Sequence, residues 1–125
     1  MELNEYQKKA MGTCMPSCMN YSYMMGNLSA EVGEFQGKVC KAQRHGSISF
    51  SNDGDIWWNT NTQEEADVMI EVNQELMKEA GDILWQLAGL CRVMGWSLDD
   101  IAQMNLKKLA SRQRRGVIDG EGDNR

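Results

Sequence analysis

Pro16 is the only proline in the 125 residues, so nothing downstream of it breaks a helix from within. Two long stretches of this proline-free chain carry apolar residues at helical spacing. Met24, Leu28, Val32, Phe35 and Val39 form one stripe, and Val72, Leu76, Ile83, Leu87, Leu90 and Met94 form another. Start and stop signals bound four helices. The first covers residues 3–12, and the second runs from Met19 to Arg44 and stops at His45-Gly46. The third spans 62–94, opened by Thr62-x-x-Glu65 as a capping box and closed by Gly95. The fourth spans 97–115, opened by Ser97-x-x-Asp100 with Trp96 and Ile101 as a hydrophobic staple. Residues 46–61, GSISFSNDGDIWWNTN, have a different character. Ser47 to Phe50 alternates and Asn52-Asp53-Gly54 is a turn signal, which predicts a short hairpin or ordered loop between helices. In a strand, Trp57 and Trp58 must face opposite ways. The expected fold is all-α, an antiparallel four-helix arrangement in a single domain over 1–125, with 116–125 an irregular tail.

Composition narrows the function classes. Apolar content of 42% and charged content of 25% suit a soluble globular protein. No apolar run approaches a membrane span, and MELNEYQKKAMG lacks the apolar centre of a signal peptide. The expectation is a cytoplasmic protein with no membrane partner. A net charge of −5 without a basic stripe argues against nucleic-acid binding. Basic residues gather only at the end of the fourth helix, in Lys107, Lys108, Arg112, Arg114 and Arg115. They serve either the helix dipole or a polyphosphate. Cys14, Cys18, Cys40 and Cys91 do not follow a zinc spacing and read as reduced thiols. The ten methionines read as adaptable core filler.

Two acidic pairs carry the chemistry: Glu31-x-x-Glu34 and Glu79-x-x-Asp82. Residues three apart share a helix face, so each pair points two carboxylates one way. Both pairs lie at the margin of an apolar stripe rather than across from it. Carboxylates placed there lose water and raise each other's pKa unless a cation sits between them. An all-oxygen ligand set suits Mg²⁺, with Mn²⁺ as a substitute. A di-iron bundle needs Glu-x-x-His pairs, and the single histidine, His45, lies in neither motif. A non-catalytic helical module with a merely acidic surface is the other reading that the residues leave open.

The blocks Leu28-Ser-Ala-Glu31-Val-Gly-Glu34-Phe35 and Glu75-Leu-Met-Lys-Glu79-Ala-Gly-Asp82-Ile-Leu-Trp85 resemble the MazG-like all-α nucleoside triphosphate pyrophosphohydrolases. Gly95-Trp-Ser-Leu-Asp-Asp-Ile101, Asn105-Leu-Lys-Lys108-Leu109 and Arg115-Gly116 are similar to that family too. The likeness covers residues 20–116, with a longer spacer between Glu34 and Glu79 than is usual. It implies hydrolysis of (deoxy)nucleoside triphosphates to monophosphate and pyrophosphate, by metal-activated water at the α-phosphorus. Glu31, Glu34, Glu79 and Asp82 would hold the metal, and Glu34 or Glu31 would handle the water. Glu75 would support them. Lys38, Asn105, Lys108, Arg112, Arg115 and Trp58 would contact the substrate, with Trp85 either stacking or packing. The resemblance further implies a homodimer or homotetramer. A relative acting only on dUTP or phosphoribosyl-ATP stays open.

Overall fold

A computed structural model describes residues 1–125. The chain forms α1 (Leu3–Met11), a 3₁₀ turn (Pro16–Cys18), α2 (Tyr21–Arg44), β1 (Ile48–Phe50), β2 (Ile56–Trp58), α3 (Gln63–Val93) and α4 (Leu98–Arg114). The four expected helices are all present, with ends displaced by one or two residues. Side chains cap three of them. Asn20 accepts from the Tyr23 amide, Thr62 from Glu65 and Ser97 from Asp100, each relieving one of the unpaired donors of a helix start. Gly46 and Gly95 adopt φ of +74° and +75°. These left-handed residues let the last carbonyls of α2 and α3 bond the departing chain, as in Ser47 N–H to Ala42 O and Trp96 N–H to Cys91 O.

Between α2 and α3 the insertion is a two-stranded antiparallel hairpin, with Ile48 opposite Trp58 and Phe50 opposite Ile56. Strand alternation turns Ile48, Ile56 and Trp58 inward and leaves Trp57 outside.

The α2–α3 pair is antiparallel and is pinned at two ends. At one end Met24 of α2 meets Ala88 and Cys91 of α3, joined by Ala10 and Met11 of α1 and Leu98 of α4. At the other end Val39 and Ala42 meet Leu76 and Ile48, with Phe35, Val72, Ile56 and Trp58 around them. Gly89 allows the first junction to close: a Cβ there would lie 2.2 Å from the Met24 sulfur. Only 15 of the 125 residues are buried, so each junction is small. The expected apolar stripes are only partly covered. Val32, Leu87 and Met94 are exposed, because the seam between the two helices is rotated toward the acidic margin.

Gln7 ties α1 to the α3–α4 turn. Its amide nitrogen donates to Ala88 O at 3.3 Å and Trp96 O at 3.0 Å, and its oxygen accepts from Leu98 N–H at 3.0 Å. The Trp85 indole donates to Ala10 O and to the Thr13 hydroxyl, so Trp85 is a packing residue. Gln7→Ala is expected to lower stability by about 2 kcal/mol, because buried partners lose their bonds. A lower urea midpoint at unchanged slope would register it.

Candidate metal centre

Between the two apolar junctions the α2–α3 seam is polar. Asn27, Glu31, Glu34 and Lys38 follow one another at steps of four, three and four on α2, and Glu75, Glu79, Asp82 and Gln86 repeat those steps on α3. That spacing keeps each set on one helix face. The antiparallel packing sets Lys38 opposite Glu75.

One oxygen each from Glu31, Glu34 and Glu79 comes together, all within 4.8 Å of one another. Glu79 is buried, Glu31 is half-buried and Glu34 is open. Asp82, one turn on from Glu79, is exposed and does not join the group at that distance. It nonetheless acts on the same space. Burial first, then the Glu34 and Asp82 charges, push the Glu31 carboxyl above its ordinary range, while a hydrogen bond from Asn27 at 2.9 Å opposes them. Burial and the Asp82 charge likewise raise the Tyr6 hydroxyl.

Lys38 is the only base in the seam. Its Nζ lies 2.7 Å from Glu79 Oε1 and 2.8 Å from Glu75 Oε2. These bonds, from Glu75 first, hold the ammonium above its usual range, and Lys38 followed by Lys78 holds the Glu75 carboxyl down at about 2. Glu79 is only half satisfied, since its Oε2 is buried with no partner. A buried carboxylate oxygen without a donor is costly, and a cation beside it removes that cost. The donor set is all oxygen, with two further carboxylates next to it, and it fits a hard divalent ion.

The remaining residues named from the sequence lie elsewhere. Asn105 is exposed on α4. Lys108 and Arg112 bond Asp123 of the tail, and Arg115 bonds Ser111. No hydrogen bond or ion pair joins these four to the acids. Trp58 packs in the second junction. A cavity of 420 Å³ opens beside the seam, lined by Lys38, Glu75, Lys41, His45 and Glu71 among others. Sequence reasoning passed over Asn27 and Tyr6. Asn27 had a signal, lying four residues before Glu31 on the same face. Tyr6 had none, because its place depends on how α1 docks.

Residues 20–117 match the model of the MazG nucleotide pyrophosphohydrolase domain. The chain belongs to the MazG family. The MazG match begins at Asn20, the cap of α2, and ends just past α4, so it contains both halves of the acidic seam. The Gene 37 protein of Mycobacterium phage L5 is similar to this MazG chain, 39% identical over 114 residues that cover 91% of it and 83% of the phage protein. No solved structure matches the chain. No helix is long and apolar enough to cross a membrane.

Proposed function

We propose that this MazG chain hydrolyses (deoxy)nucleoside triphosphates to the monophosphate and pyrophosphate in a magnesium-dependent reaction. The observation that carries the reading is the meeting of Glu31, Glu34 and Glu79 within 4.8 Å, with one buried oxygen of Glu79 unpartnered. Those three would hold the ion, and Asp82 would add its carboxylate from the next turn. A bound divalent ion supplies positive charge for phosphate oxygens and lowers the pKa of a water.

The protein's own groups divide the rest of the task. Glu34 is open to solvent, whereas an oxygen of Glu31 is engaged by Asn27. Glu34 is therefore the residue proposed to orient the attacking water and take its proton on a carboxylate oxygen. Glu31 serves chiefly to bind. Lys38 neutralises triphosphate charge and is held at the seam by Glu75. The 420 Å³ cavity beside Lys38 receives the nucleoside. Asn105, Lys108, Arg112, Arg115 and Trp58 are further substrate contacts in this proposal.

The proposal includes a homo-oligomer. Val32, Ile70 and Met77 on α2 and α3, and Met104 and Leu106 on α4, are each half or more exposed. With so few residues buried within one chain, a second copy is the natural cover for them.

A panel of canonical and modified triphosphates with Mg²⁺ in ¹⁸O-labelled water tests the reaction. The expected products are pyrophosphate and a monophosphate that carries the label. Label in the pyrophosphate, or orthophosphate as the first product, would place the attack at another phosphorus and overturn the proposal.

A further inference from the structure

The end of α4 and the tail form a second polar structure, away from the acids. Arg112 is 5% exposed, which is rare for a guanidinium. Its Nη2 donates to Asp123 Oδ1 at 3.0 Å and to Gly122 O at 3.2 Å, and Lys108 Nζ reaches the same Oδ1 at 3.4 Å. The Arg112 Nε is buried with no partner. One carboxylate oxygen thus serves two cations while a third donor goes unused.

The tail is folded to deliver that oxygen. Val117 N–H bonds Arg112 O as the chain leaves α4. Arg125 then closes the loop, donating to Val117 O at 3.0 Å, to Gly122 O at 2.6 Å and to Ile118 O at 3.3 Å. Gly120 lets the Arg125 stem pass, since a Cβ there would lie 2.4 Å from Arg125 Cδ. The Asp123 side chain itself is 83% exposed. Its pairing is therefore mostly hydrated and weak, and it is the easiest member of the arrangement to displace.

We propose that the tail's Asp123 carboxylate occupies a polyphosphate seat made by Lys108 and Arg112, so that tail and polyphosphate compete for it. A guanidinium offers five donors in a planar fork. An anion with several oxygens engages that fork and a neighbouring ammonium better than one carboxylate oxygen does. A phosphate group reaches Nε and Nη2 together once Gly122 and Asp123 move off. The tail is then an autoinhibitory strap that opens on binding. This inference rests on the pyrophosphohydrolase reading for its choice of ligand.

The test uses the full chain, free of metal in EDTA, titrated with inorganic tripolyphosphate by calorimetry, with the Gly120 and Gly122 amide signals followed by NMR. Asp123→Asn is expected to bind about threefold tighter than the natural chain, the scale of one exposed ion pair. Lys108→Ala is expected to bind more weakly in proportion. In the natural chain both glycine signals move toward their positions in a released tail as the ligand saturates. Equal affinities for the natural chain and Asp123→Asn, or glycine signals that stay in place at saturation, overturn the proposal. Arg112→Ala is not needed, which avoids a variant at a buried position. The metal-free titration is independent of the turnover assay. Absent turnover with competition intact removes only the catalytic reading, and the reverse pattern removes only the strap.

Discussion

Glu79→Gln is expected to remove magnesium binding and to lower triphosphate hydrolysis by about a thousandfold, the scale of losing one preorganised charge contact in a transition state. Glutamine keeps the shape of the side chain. It removes the negative charge and replaces one carboxylate oxygen with an NH2 group that cannot ligate a cation. The unpartnered Oε2 and the Lys38 bond both belong to this side chain, so it sits where the two helices need a cation most. Metal-free stability should change little, because Lys38 keeps its bond to Glu75 when it loses the charge of Glu79, and the loss of that pair is offset by removal of a buried carboxylate whose Oε2 has no partner. The variant therefore separates site from scaffold: the fold stays, and the rise in melting temperature expected of the natural chain with Mg²⁺ disappears. Full turnover together with an intact magnesium-induced shift would remove Glu79 from the metal centre.

The second large effect is expected at Lys38. Lys38→Met leaves Glu79 buried with neither oxygen matched to a charge and leaves Glu75 with Lys78 alone. Breaking a fully buried pair costs several kcal/mol. Lys38 and Glu75 are both more than a third exposed, and solvent screening reduces the loss here to about 2 kcal/mol. Saturating magnesium should recover most of it, since a ligand that binds only the folded chain stabilises it by mass action. The measurement is the difference in unfolding free energy between variant and natural chain, with and without Mg²⁺. A gap that magnesium leaves unchanged would mean that the ammonium and the metal do not share Glu79.

Much of the architecture was legible because its determinants are local. Thr62 and Ser97 cap the helices they were expected to open, Gly46 and Gly95 close the helices they follow, and Trp57 and Trp58 diverge as strand alternation requires. The acidic pairs were legible too, because a three-residue spacing fixes a common face without any knowledge of neighbours. What stayed hidden depends on docking. A helical wheel ranks the faces of α2 and α3 but does not say which face meets the partner helix. Val32 and Leu87, read as core, point outward, while Glu79 and Gln86 take buried places in the seam. Gln7 and Tyr6 gave no signal, since their roles arise from chain ends brought together across more than eighty and seventy residues. Lys108 and Arg112 were read as substrate contacts, and their bond to Asp123 needed the tail's return path to be seen.

The acids hang between two anchorages that contain no acid. Met24 against Gly89 clamps one end of the paired helices, and Val39 against Leu76 clamps the other. The gap between the facing carboxylates, where the proposed cation would sit, is therefore set by the bulk of side chains that it would never meet. A methyl group added at Gly89 would act on the carboxylates like a wedge driven in at one end of a split log, widening the cleft several turns away.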